Sequence, residues 1–398
     1  MHARLMHAAA GAAVIGAVLT GQPSALAARD AATDVPCSVA ALVLAMSGAR
    51  SGTTLSLAPR CVYSLSQSLP PVRRNLILTG NQATLIRSSA PGTPAFSILR
   101  ADAGALTVND LNFRNGHRAI TVTGAARLTV NGGIFSGNSA VDGGAILDRS
   151  TSNGPKVTDT VFTSNSATGS GGAIFNVSGL AGVNLTHATF VANTAGNGGA
   201  IYDFSVDGQH VTNSVFADNT ASACGAACFF SASSMTFTDV VVRGNTASGS
   251  AGGIYASASD AVRIIGGQFS GNQAGDLGGG IFLSGIRTSV DGTVMDNNTA
   301  ADGAGLYATA EKLSLGHVTM TGNQASGYGG GIYNDWASSG SQSSHTADDS
   351  QISGNSAGSG GGGVYDVISG SFVLTSSRVL GNSPDNCEPV ASVSGCGG

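Results

Sequence analysis

Residues 135–146 read FSGNSAVDGGAI, and the same two-part word returns as FTSNSATGSGGAI (162–174), FVANTAGNGGAI (190–201), FSGNQAGDLGGGIF (269–282) and MTGNQASGYGGGIY (320–333). Each copy places asparagine three residues after an apolar residue, then steps through glycines into an aliphatic one. The asparagines fall at Asn138, Asn165, Asn193, Asn219, Asn245, Asn272, Asn298, Asn323, Asn355 and Asn382, at separations of 27, 28, 26, 26, 27, 26, 25, 32 and 27 residues. The second word ends on Ile146, Ile174, Ile201, Cys228, Ile254, Ile281, Leu306, Ile332 and Val364, always 8 or 9 residues after its asparagine. A fixed period of this kind defines a repeat architecture before any residue is assigned a role.

Within one period the pattern is that of short strands. Val183–Thr186, the run from Phe190 to Asn193, and Ala200–Tyr202 alternate apolar with small polar residues and are punctuated by Asn, Gly, Ser and Asp. Helical repeats need longer units with amphipathic helices, and a propeller blade needs four strands and about forty residues. Three strands in about 27 residues make one turn of a parallel β-helix. The repeated Phe and Ile then face inward and stack coil on coil at a rise of about 4.8 Å. The asparagines sit at a corner, where they tolerate left-handed backbone and their amides can form a ladder. The Gly-Gly step supplies positive φ or a corner too tight for a Cβ. The expected fold is all-β, a right-handed parallel β-helix of about eleven or twelve coils with a small N-terminal helical cap.

The ends read differently. Arg4, an apolar run from Ala8 to Leu19, and the small-residue site Ala25-Leu26-Ala27 are the anatomy of a secretory signal peptide over residues 1–27. Residues 28–104 are expected to hold the cap and first coils, with Ser38 capping a helix from Val39 to about Met46. The repeats occupy 105–386, and 387–398 form a tail. Six cysteines in close pairs favour disulfides in an exported chain: Cys37 with Cys61, Cys224 with Cys228, and Cys387 with Cys396. A zinc site has no finger-like spacing to support it.

The net charge of −5 and only 18 scattered Lys and Arg give no footprint for nucleic acid or an acidic membrane surface. No apolar stretch of the mature chain reaches the length of a membrane span.

The double motif of FxxN with GGA followed by Ile, Leu or Val resembles the polymorphic outer-membrane protein repeats, a subset of the right-handed β-helix proteins that also include pectate lyases. That resemblance covers about residues 105–386. It implies an exported, surface-associated β-helix, often an adhesin, and supplies structural residues but no catalytic set. The cysteine-loop tail replaces the barrel strands of membrane-anchored members, so a released or loosely surface-associated monomer is expected.

β-Helix proteins also include carbohydrate enzymes, which makes the carboxylates worth placing. Glutamate occurs only at Glu311 and Glu388, so aspartate must carry any acid chemistry. Asp148, Asp203, Asp335 and Asp366 follow the second word, with Asn176 and Asn334 in the same column. Asp148, Asn176 and Asp203 would lie on successive coils, as turn caps or as a strip for calcium or sugar. The 32-residue interval holds an insertion with the chain's one tryptophan, Trp336, followed by His345, Asp348 and Asp349. Trp336 with Tyr328 and Tyr333 could stack on a sugar ring. Asp348 and Asp349, as neighbours in a strand, point to opposite faces. The expected function is non-catalytic binding of a polysaccharide, cell-surface or matrix partner without a cofactor. The alternative is a polysaccharide lyase or glycoside hydrolase with an aspartate site on one face.

Overall fold

A computed structural model of the chain describes residues 32–336, 344–368, 372–390 and 393–396. The signal-peptide reading and most of the insertion after Trp336 lie outside these residues.

One coil shows how the repeat folds. Strands run over Asn184–Thr186, Thr189–Val191, Thr194–Asn197 and Ile201–Ser205. Between them the chain turns at His187, Ala192 and Gly198, all with φ between +51° and +61°. These left-handed corners recur in register. The first corner is taken by Asp159, His187, Asn213 and Asp239, and the second by Gly137, Ser164, Ala192 and Asp218. Asp, Asn and Gly tolerate this conformation best, which explains the polar punctuation of the sequence. The step after Gly198 is crowded as well: a Cβ on Gly199 would collide with the carbonyl oxygen of Gly225 in the next coil.

Stacked coils pair their strands in parallel. Asn184–Thr186 lies between Lys156–Thr158 and His210–Thr212, and Ile201–Ser205 between Ile174–Asn176 and Ala227–Ser231. Among the described residues this builds a solenoid of about 13 turns. The expected eleven or twelve fall short because strands such as Leu76–Arg87 and Ala105–Arg114 carry neither repeated word. The structure also adds a fourth column of very short strands after the asparagine, from Ser139–Ala140 to Ser356–Ala357.

Interior side chains repeat with the coils. Phe113, Phe135, Phe162, Phe190 and Phe216 are fully buried, with successive ring centroids 4.8–4.9 Å apart. Full burial of such a side chain contributes roughly 1.5–3 kcal/mol. Beside this column runs the asparagine ladder. From Asn138 to Asn355, each Nδ2 donates to Oδ1 of the next asparagine at 2.9–3.0 Å, and Asn382 donates in the same way to Asn386 at 3.1 Å. The same Nδ2 also donates to a backbone carbonyl, as Asn219 does to Phe190 O at 3.1 Å. Each Oδ1 accepts a second bond from a backbone N–H, so Asn193 N donates to Asn219 Oδ1 at 3.0 Å.

The register corrects one reading. Ala227 takes the inward place in line with Ile201 and Ile254, while Cys228 lies in the outward row with Tyr202 and Tyr255. Cys224 occupies the left-handed corner that glycine fills in most coils and Ala251 in the next, with φ of +55°. Cys228 faces out to bond it, at a Cα–Cα separation of 5.4 Å.

Both ends are closed. The helix Val39–Gly48 is capped by Ser38, whose Oγ accepts from Ala41 N, and it buries Leu42 and Met46. Cys37–Cys61 ties it to the first coils, and Cys387–Cys396 ties the tail beside Asn386, where the ladder stops.

Asn219→Ala should destabilise the fold by about 3 kcal/mol or more, since it strands two donors of Asn193 and the Phe190 carbonyl away from water. Urea unfolding, with amide exchange of coils 190–245, measures this; a change within about 0.5 kcal/mol would deny the ladder its role.

Candidate functional site

The residue that follows the aliphatic end of the second word points outward. In register these positions are Leu147, Phe175, Tyr202, Cys228, Tyr255, Phe282, Tyr307, Tyr333 and Tyr365. Seven of the nine are aromatic, and together they form a ladder up the outer face of one strand column. Most are half-buried, each ring being covered on its faces by its neighbours. Phe175 and Tyr202 stack at 5.5 Å, Tyr307 and Tyr333 at 4.9 Å, and Tyr333 and Tyr365 at 4.9 Å with tilt.

The ladder is interrupted at Cys228. There Phe230, two residues on, bridges to Tyr202 at 5.5 Å and to Tyr255 at 5.2 Å. The missing ring leaves an open pocket of about 350 Å³ between Tyr202, Phe230, Tyr255 and the Cys224–Cys228 bridge, with Asn197 and Ser250 at its rim. Ser250 Oγ donates to the exposed Asp276 at 3.1 Å.

Towards the C-terminal end the ladder gains carboxylates. Tyr307 Oη donates to Asp335 Oδ2 at 2.5 Å, and Tyr328 N donates to Asp302 Oδ1 at 2.6 Å. The Tyr328 ring leans on Tyr365 at 4.5 Å. Burial, with Asp335 next in effect, pushes the Tyr333 phenol up to about 12 and holds Tyr307 well above its ordinary value. These phenols therefore stay neutral at physiological pH. They offer hydroxyl donors and ring edges, but no base.

The tyrosines singled out by sequence, Tyr328 and Tyr333, thus lie together in this cluster. Trp336 is half-buried directly after Asp335, at the edge of the described residues. Sequence reasoning missed Phe175, Tyr202, Tyr255, Phe282, Tyr307 and Tyr365. Their signal was available, because an aromatic follows the aliphatic residue in most copies of the second word.

The aspartates divide by position. Asp148 and Asp203 have no exposed surface. Asp148 Oδ1 accepts from Ser150 N at 2.8 Å, and Asp203 accepts from Asn176 Nδ2 at 2.9 Å and from Val183 N at 2.7 Å. They close turns from inside the solenoid. Asn334 and Asp366 are likewise buried and bonded at 2.8 Å, and Asn334 Nδ2 donates to Nδ1 of the buried His345 at 2.7 Å. Asp348 and Asp349 are exposed; Asp349 occupies the left-handed corner, 4.0 Å from His317, which also meets Asp291 at 2.9 Å. Among the described residues no group of three or more His, Cys, Asp or Glu side chains comes together to hold a metal.

A family model for the right-handed β-helix region matches residues 74–269, and one for the Chlamydia polymorphic membrane protein repeat matches residues 317–335. The chain is a right-handed parallel β-helix protein. No curated protein matches this β-helix protein in sequence. Among solved structures it is similar to the A-module of mannuronan C-5 epimerase AlgE6 from Azotobacter vinelandii, at 13% identity and a TM-score of 0.41, covering 89% of this chain and 93% of that one. It is also similar to tailspike protein 3 of bacteriophage CBA120, at 14% identity and a TM-score of 0.38. That match covers 89% of this chain and 59% of the tailspike.

Burial pushes Asp148 and Asp203 up to about 6 from an ordinary 3.8. The folded chain therefore holds these protons more tightly than the unfolded one. Their contribution to stability is full below about pH 4 and is lost as pH rises through about 6, on the order of 3 kcal/mol for each group. Unfolding at about pH 4.5 and pH 7.5 should show the chain more stable in acid, and Asp148→Asn with Asp203→Asn should flatten that difference. Greater wild-type stability at the higher pH, unchanged in the double variant, would contradict this.

Proposed function

We propose that this β-helix protein is exported, with residues 1–27 as its leader, and binds polysaccharide or a glycan-bearing surface along its aromatic ladder without chemically altering it. The observation that carries the reading is the outward row from Phe175 to Tyr365, with the pocket beside Cys224–Cys228. At the gap beside Cys228 the rings of Tyr202, Phe230 and Tyr255 line an open pocket, and a sugar ring presents an apolar face that packs on aromatic surface and hydroxyls that meet carboxylates and phenols. Asp276, Asp302 and Asp335 supply such acceptors beside the rings.

The disulfides and the polymorphic membrane protein repeat accord with an extracellular or surface protein. A catalytic reading built on Asp148 and Asp203 lacks access, because a carboxyl sealed inside the coil cannot meet a polymer.

Retention of the full chain on neutral polysaccharides, scored together with new reducing ends and unsaturated products, tests this. Binding without product, weakened about tenfold or more in Tyr202→Ala with Tyr255→Ala, is expected. Time-dependent product, or retention indifferent to those tyrosines, would overturn it.

A further inference from the structure

Three strands differ from the short ones that precede them. Ile254–Ile265, Ile281–Asp291 and Leu306–Gly316 each run 11 or 12 residues through a corner that other coils make with a loop. The pairing of the first two shifts register between Ala258 and Ala261. Beside this shift lies a groove of about 410 Å³, lined by Arg263, Arg287 and Lys312 with the hydroxyls of Ser289, Ser314 and Thr346.

Its charge is opposite in sign to the net charge of the chain. The chain carries a net −5, with only 18 Lys and Arg in 398 residues, yet three cations line this one groove on successive coils. Arg287 and Lys312 are register partners, adjacent across one coil rise. Like charges placed directly opposite are destabilising, and a folded chain keeps such a pair where something anionic is to be met. The groove neutralises only part of the charge. Asp260 pairs with Arg287 and is itself held by Ser234 Oγ at 2.8 Å, which fixes the guanidinium in place. Among the described residues, no carboxylate lies within ion-pair distance of Lys312 or Arg263.

We propose that this groove binds the acidic groups of an extended, carboxylated or sulfated polysaccharide. The cations would meet the acid groups and the serine and threonine hydroxyls the neutral sugar oxygens, with the polymer running along the solenoid axis. Nucleic acid fits less well. No aromatic side chain lines the groove to stack a base. The site goes beyond the aromatic-ladder reading, although the same strands carry both: Tyr255 and Arg263, Phe282 and Arg287, and Tyr307 and Lys312 lie on single strands.

The test immobilises the full chain and measures binding of polygalacturonate, dextran sulfate, uncharged dextran and a single-stranded oligonucleotide at about 0.05 M and about 0.5 M salt. Expected is binding of at least one acidic glycan at low salt, lost at high salt and about tenfold weaker in Arg263→Ser with Lys312→Ser. Tyr202→Ala with Tyr255→Ala should leave acidic-glycan binding in place, which separates this site from the ladder. Both residues to be changed are exposed, so the variants should fold, as circular dichroism would verify. Binding of neither acidic glycan, binding unaffected by the double substitution, or tighter binding of the oligonucleotide would overturn the proposal.

Discussion

A buried amide that must find its partners in the next coil is the constraint on which the rest depends. Each ladder asparagine donates to the next one and to a backbone carbonyl, and accepts two bonds in return. From Asn138 to Asn355 these side chains are sealed from water, so a coil displaced from register loses several hydrogen bonds at once. With the ladder fixed, Phe must fall above Phe and Ile above Ile. The left-handed corners line up, and the alternation of strands decides which residues face in and which face out.

That alternation explains both what the sequence made legible and what it hid. Period, fold class, corner chemistry and helix cap follow from spacing, because repeated coils impose the same steric demands at the same positions. The buried fate of Asp148 and Asp203 was equally available. Each lies two residues after an inward isoleucine, Ile146 or Ile201, and therefore shares its face. Their acidic character drew attention to chemistry when their parity placed them inside. The outward aromatic row lies one residue after the same isoleucines and went unremarked, since an aromatic in an apolar word reads as core. Cys228 was misplaced by one position because the stretch ACGAAC lacks the usual glycines. The first coils were counted slightly low because they reach the same geometry with neither repeated word.

Inside and outside of the same strands thus carry separate duties. The inward set of Phe, Ile and Asn makes a rigid support with little freedom to vary. The outward set is released from packing, and on this chain it is filled with aromatic rings on one column and cations on the adjoining one. A solenoid presents such residues at a fixed rise of about 4.8 Å, which suits a ligand that is itself a linear repeat. The Cys224–Cys228 bridge belongs to both duties: it takes a corner and replaces one ring, opening the pocket beside Tyr202 and Tyr255.

The central claim is that one longitudinal face of the solenoid is the ligand surface. Amide hydrogen exchange of the full chain, with and without a polysaccharide that it retains, tests this most directly. Slowed exchange is predicted for strands Ile201–Ser205, Ala227–Ser231, Ile254–Ile265, Ile281–Asp291 and Leu306–Gly316, with no change in the short column from Ser139–Ala140 to Ser356–Ala357. Protection confined to that short column, or to the N-terminal helix, would contradict it.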